Sequence, residues 1–139
     1  MKILFMCVAN SARSQIAEGL AKAIFSGSAE IASAGSKPKN VNPLAIEVMA
    51  EIGLDITKQN SKSVDDLPAD FVANLDYVIT LCAEEVCPIL ISKAKKLHWP
   101  MPDPAGHDEL SHEERLSLFR ITKEAINAKL IAFKSDLKL

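Results

Sequence analysis

The stretch "KILFMCVANSARS", residues 2–14, constrains the fold more than any other part of the chain. Residues 2–7 form a short apolar run closed by small and polar residues. A run of that length, bounded this way, reads as a buried strand rather than a helix. From Ser14 the period changes. Ile16, Ala17, Leu20, Ala21 and Ile24 recur at helical spacing, and Gly27 lies just past the last of them. A strand that runs through a short loop straight into a helix leaves Cys7 at the strand end and Arg13 at the helix entrance.

The same alternation continues. "EIASAG", 30–35, is a second short strand closed by Gly35. Pro43 suits the first turn of a helix, and Ala45, Ile46, Val48, Met49 and Ile52 carry its apolar face to Gly53. Residues 54–74 read as loop with at most one helical turn. "LDYVITLC", 75–82, is a buried strand that ends, like the first, in a cysteine. Residues 83–92 read as loop or short helix, and 95–99 as a last strand. Ser111 and Glu114 have capping-box spacing ahead of a long terminal helix marked by Leu116, Phe119, Ile126, Leu130 and Phe133. Strands alternating with helices predict a single α/β domain over residues 1–139. It is a three-layer sandwich, with a parallel sheet covered on both faces. In such sheets ligands bind beyond the carboxyl ends of the strands, where both Cys7 and Cys82 fall.

The first loop has a definite chemistry. Entering a helix, it presents unpaired N–H groups at the positive end of the helix dipole, which suits a tetrahedral oxyanion. Val8, Ala9, Ser11 and Ala12 are small enough for the backbone to curl around such an anion. With Asn10 and Ser14 they make up the substrate-binding loop. Arg13 adds a planar fork able to hold two oxygens. The same field favours thiolate over thiol, so Cys7 is the candidate nucleophile, and the Ser14 hydroxyl is placed to donate to its sulfur. Taken alone, a cysteine at a strand end is commonly a small core residue; the strand–loop–helix setting is what favours chemistry.

The bulk properties exclude other classes. Sixteen basic against 18 acidic side chains leave a net charge of −2, with no basic face for nucleic acid. No run approaches the ~20 apolar residues of a membrane span. "MKILFMCVANSA" mimics a signal peptide, but its apolar run is at the lower limit for one. Three cysteines do not make a disulfide framework in a chain long enough to bury a core. The cytoplasm and a monomer are the expectations.

"CVANSARSQIAEG", "SAG" at 33–35, "VNPLAIEVM", "VITLC" and "DPAG" at 103–106 occur in that order along nearly the whole chain. Together they resemble the low-molecular-weight tyrosine phosphatase superfamily, and within it the arsenate reductases that use three cysteines. The resemblance implies a four-stranded parallel sheet flanked by helices. It implies Cys7 as nucleophile, Arg13 as oxyanion clamp, Asp103 as general acid and Asn10 as a brace of the loop. It also suggests a potassium ion near Asn10, Glu18 and Ser33, and no tightly bound cofactor. The implied reaction is reduction of arsenate to arsenite by a Cys7–Cys82–Cys87 thiol–disulfide relay. An external thiol reductant, thioredoxin or glutathione with glutaredoxin, then restores the enzyme. On residues alone "PDPAG" is an ordinary turn.

Two readings compete. One is a phosphatase acting on aryl phosphates through a Cys7 phosphocysteine, although Ala105 supplies no ring where such enzymes carry an aromatic residue. The other is a thiol sensor that binds arsenic or zinc through its cysteines, with His98 or His107 as further ligands for zinc. Spacing adds a condition to the relay. In a regular helix the Cα atoms of residues 82 and 87 would be about 8.7 Å apart with side chains about 140° apart, whereas a disulfide needs less than ~7 Å. Residues 82–92 are therefore expected to form a mobile segment that carries the oxidised pair outward.

Overall fold

The computed structural model describes residues 1–83 and 87–139. Four strands, β1 (Lys2–Cys7), β2 (Glu30–Gly35), β3 (Tyr77–Thr80) and β4 (Lys95–His98), form one sheet in the order β2-β1-β3-β4. Every pairing is parallel. β1 is thus an inner strand, aligned with Gly35 of β2 at Cys7 and with Thr80 of β3 at Met6.

The pleat of β1 sorts its side chains onto two faces. Ile3 and Phe5 enter a large core with Ile79 and Leu81. Over that face lie α1 (Arg13–Phe25), α2 (Pro43–Ala50) and α4 (His112–Asp136). Leu4 and Met6 face the other way, with Ala34 and Val78, and are covered by Phe71 of the short helix α3 (Ala69–Ala73) and by Leu75. Both faces of the sheet are therefore apolar, which explains why its strands read as continuous hydrophobic runs. Rings of Phe25, Tyr77 and Trp99 all meet Phe133, at centroid distances of 6.2, 5.0 and 5.6 Å, and so tie the end of α4 to the sheet.

The element boundaries follow local chemistry. Asn42 caps α2 by accepting from Leu44 N–H at 2.9 Å, with Pro43 at the first helical position. Ser111 and Glu114 make the expected reciprocal capping box on α4. α2 and β4 end slightly earlier than the sequence reading placed them, at Ala50 and His98, and two other spans differ more. The third strand runs from Tyr77 to Thr80 rather than across 75–82, because Asp76 turns to accept the Lys2 N–H at 2.8 Å and Leu75 packs beneath the sheet. Beyond Thr80, Leu81 N–H still bonds Met6 O at 2.9 Å, so the chain stays alongside β1 without a full ladder. Residues 54–74, read as mostly loop, hold a 3-10 turn (Val64–Asp66) as well as α3. Cys82, Ala83 and residues 87–90 have no helical structure, while 84–86, in the middle of the expected mobile segment, lie outside the described residues.

Candidate active site

The loop from Cys7 to Ser14 is held from outside by its carbonyls. Val8 O accepts from Lys37 N–H, Ala9 O from Lys39 N–H and Ser11 O from Asn42 N–H, each at 2.9 Å. Asn10 O accepts from the Ser61 hydroxyl at 2.6 Å and from Gln15 Nε2 at 3.1 Å. No cis peptide occurs among the described residues. In a trans peptide the N–H points opposite to the carbonyl. The N–H groups of Ala9, Asn10, Ser11 and Ala12 are therefore turned towards the inside of the loop, as an anion cradle requires. Asn10 makes the turn with φ of 46°, in the left-handed region that asparagine tolerates better than most residues.

The cradle depends on a glycine. Gly35 is paired with Cys7 in the sheet, and a Cβ placed on it would lie 2.5 Å from Val8 O and 2.9 Å from Cys7 O. Only a residue without a side chain admits the loop so close to β2.

The cleft at the mouth of the loop has a volume of about 280 Å³, and Cys7, Arg13 and Asp103 all line it. Cys7 is buried, with its sulfur 3.0 Å from the Ser14 hydroxyl. Arg13 is 5% exposed. Its Nη1 donates to Met101 O at 3.0 Å and its Nη2 lies 3.8 Å from Asp103 Oδ2, so the fork is aimed before any anion arrives. Asp103 stands half-exposed at the rim, its other oxygen accepting Ala105 N–H at 3.0 Å. The "DPAG" stretch is irregular rather than a hydrogen-bonded turn, the nearest turn lying at residues 108–109, and Asp103 presents its carboxylate to the cleft.

The remaining cysteines sit elsewhere. All three are thiols here. Cys82 is buried immediately after Leu81, and Leu81 is hydrogen-bonded to the residue before Cys7. Cys7 thus ends β1, and Cys82 lies two residues beyond the end of its neighbour β3. Cys87 is partly exposed and lines a separate cavity of about 260 Å³ with Thr80 and His98. His98 bonds Thr80 Oγ1 through Nδ1 at 2.8 Å. No group of three or more His, Cys, Asp or Glu side chains placed to hold a metal is present among the described residues.

Asn10, Glu18 and Ser33 do come together, but they bind one another. Asn10 Nδ2 donates to Ser14 Oγ at 2.7 Å and to Ser33 Oγ at 3.0 Å, while Ser33 donates to Glu18 Oε1 at 2.5 Å. Lys62 N–H donates to Asn10 Oδ1 at 3.0 Å. The Glu18 carboxylate also has two ammonium neighbours, Lys22 Nζ at 2.6 Å and Lys62 Nζ at 3.9 Å. Burial pushes the Lys62 ammonium below the usual lysine range, with Glu18 opposing that shift. With their oxygens engaged and lysine charge already beside the carboxylate, these residues do not fit an added potassium ion.

Several site residues escaped the sequence reading. Gly35 was legible only as a strand terminator. Lys39 and Asn42, which line the cleft, and Ser61 and Lys62, which brace the loop, sit in polar stretches with no periodicity to mark them. Gln15 is fully buried on α1 and bonds Asn60 O at 3.2 Å and Gln59 Nε2 at 2.8 Å. A buried glutamine on an amphipathic helix carries no signal unless its face is known.

A parallel sheet with an outward-braced loop at the end of an inner strand, a buried sulfur at its base and an arginine fork at its mouth defines a cysteine-dependent oxyanion-binding protein. Residues 2–138 match the profile of the low molecular weight phosphotyrosine protein phosphatase family, and the chain belongs to that family. It is 39% identical over 133 residues to the arsenate reductase of Shouchella clausii (strain KSM-K16), spanning 94% of this chain and 93% of that protein. It is 39% identical over 135 residues to the arsenate reductase of Staphylococcus aureus (strain Newman), spanning 96% and 95%. Among solved structures, an arsenate reductase in the phosphate-binding state superposes with a TM-score of 0.77 at 31% identity over 98% of both chains. A thioredoxin-dependent arsenate reductase of Corynebacterium glutamicum superposes with a TM-score of 0.74 at 28% identity, over 99% of this chain and 61% of that one.

Proposed function

We propose that this chain reduces arsenate to arsenite, with its three cysteines passing one sulfur–sulfur bond from the anion loop to the surface. The observation that carries the reading is the placement of Cys7 at the end of β1 and of Cys82 just beyond the end of its neighbour β3, beside a loop whose N–H groups face inward. A phosphatase has use for the first sulfur only.

Arsenate enters the cleft, held by the loop N–H groups and the Arg13 fork. The Cys7 thiolate attacks arsenic and one As–O bond breaks. Asp103 gives that oxygen its proton, so that water leaves. Cys82 then attacks the Cys7 sulfur. The sulfur–arsenic bonding pair passes to arsenic, which becomes trivalent and leaves as arsenite, and a Cys7–Cys82 disulfide forms. Cys87 attacks Cys82 in turn, Cys7 departs as thiolate, and the bond now joins Cys82 to Cys87. An external thiol reductant closes the cycle. Thioredoxin is favoured over glutathione with glutaredoxin by the likeness to the thioredoxin-dependent Corynebacterium enzyme. No step uses a metal. Among the described residues no helix is long and apolar enough to cross a membrane. A relay of thiols suits the reducing cytoplasm, and one copy holds every residue of the cleft, which favours a monomer.

The test is turnover of arsenate with each reductant system, for wild type and for Cys7→Ser, Cys82→Ser and Cys87→Ser. All three variants are expected to lose turnover. No reduction of arsenate by any of the four proteins, with hydrolysis of an aryl phosphate lost in Cys7→Ser alone, would establish the phosphatase reading instead.

A further inference from the structure

We infer that the Lys62 ammonium is a built-in cation for the buried Glu18 carboxylate, and that Lys62 is thereby a positioning residue for the anion loop, which needs no added potassium. The inference rests on the oxyanion-binding reading of the loop but not on the reaction that follows.

The argument begins with Glu18, whose side chain is 6% exposed and so requires compensation for its lost hydration. Its Oε2 meets Lys22, a half-exposed lysine on the same helix whose charge water screens. Its Oε1 faces inward, where the ammonium nearby is that of Lys62, only 17% exposed and further anchored by donating to Asn60 O at 2.8 Å. Oε1 is also the start of a directed chain. An ionised carboxylate only accepts, so Ser33 must give it the hydroxyl proton. Ser33 Oγ can then only accept from Asn10 Nδ2, and the second Nδ2 proton goes to Ser14 Oγ. Ser14 is left with its own proton to give, and the Cys7 sulfur stands 3.0 Å away. The negative charge at Glu18 therefore orients a donor onto the nucleophile through two intermediates.

Lys62 acts on this chain at both ends of its residue. Its backbone N–H donates to Asn10 Oδ1, which fixes the amide with its nitrogen towards Ser14 and Ser33. Its ammonium lies 3.9 Å from Glu18 Oε1, the acceptor on which the chain of donors converges. In place of a mobile ion, the sequence supplies a tethered one.

Inorganic phosphate is the probe, bound to the reduced full-length chain and followed by calorimetry in potassium chloride and in choline chloride at equal ionic strength. Wild type is expected to bind phosphate equally in both salts. Lys62→Ala is expected to weaken binding about threefold to tenfold in choline, the scale of one hydrogen bond, with potassium recovering most of the loss and Lys62→Arg binding like wild type. In a Glu18→Gln background Lys62→Ala is expected to add nothing. A wild type whose affinity rises with potassium overturns the inference, and so does a Lys62→Ala protein that is unaffected or that neither potassium nor arginine restores. The wild-type comparison stands even where a variant fails to fold. Absence of phosphate binding by wild type would instead remove the oxyanion reading itself.

Discussion

At the scale of the residue, the site depends on what is absent as much as on what is present. Gly35→Ala places a methyl carbon 2.5 Å from Val8 O, a backbone atom that cannot rotate away. The loop must shift, and displacements of about an ångström cost of the order of a hundredfold in rate. Gly35→Ala is therefore expected to lower kcat/KM for arsenate about a hundredfold, with a stability loss of about 1–3 kcal/mol, read by steady-state kinetics and urea denaturation. Asp103→Asn is a different case. The carboxylate is half-exposed and pairs loosely with Arg13, so the fold should be indifferent to the change. The first chemical step should slow by about a hundredfold or more, as for loss of a general acid, while phosphate binds at least as tightly. Rapid-quench kinetics beside phosphate affinity separates these effects. The residues a reader of the sequence could recognise were Cys7, Arg13 and the small residues between them, because their chemistry is local. Ser61 and Lys62 were not recognisable, since they reach Asn10 from 51 and 52 positions away.

Elements set where those residues stand. Glu114 closes the N-terminus of α4, and the Ser111 backbone N–H, with a smaller contribution from the Ser111 hydroxyl, holds its carboxyl below the usual carboxylate range; Arg120 does the same for Glu51 at the end of α2. Both carboxylates have lowered folded-state values, so their contribution is fully present above the ordinary glutamate range near pH 4.3. It is lost as the pH falls below that range. Thermal stability measured from pH 6 down to pH 3 is expected to decline, and Ser111→Ala should show a shallower decline. At pH 7 the same variant should lose about 1 kcal/mol, the usual cost of a helix cap. Helix positions were legible in the sequence to within a few residues, because caps and period both mark them. The third strand was read too long, because Leu75 and Leu81 are buried without belonging to the ladder: burial extends past pairing, and apolar runs report burial.

For the whole molecule, strand order was the main thing the sequence left open. Four apolar runs state that a sheet exists but not which run lies inside it. The order β2-β1-β3-β4 arises from pairings between distant segments. Ligand linkage gives a measurement at this scale. Phosphate that binds only the folded chain should stabilise it by about 2.7 kcal/mol at a hundred times its dissociation constant. Differential scanning fluorimetry would register this as a rise in Tm, absent in Arg13→Ala.

The inner position of β1 bears on how the enzyme is lost as well as how it works. Edge segments can fray while the rest of a domain stays folded, but Cys7, the proposed nucleophile, ends a strand paired along both sides. Heating should therefore displace Cys7 only when the entire domain melts, so the inactivation curve and the calorimetric transition should coincide. An earlier decay of turnover with single-turnover release of arsenite intact would point instead to the last proposed step, at Cys87.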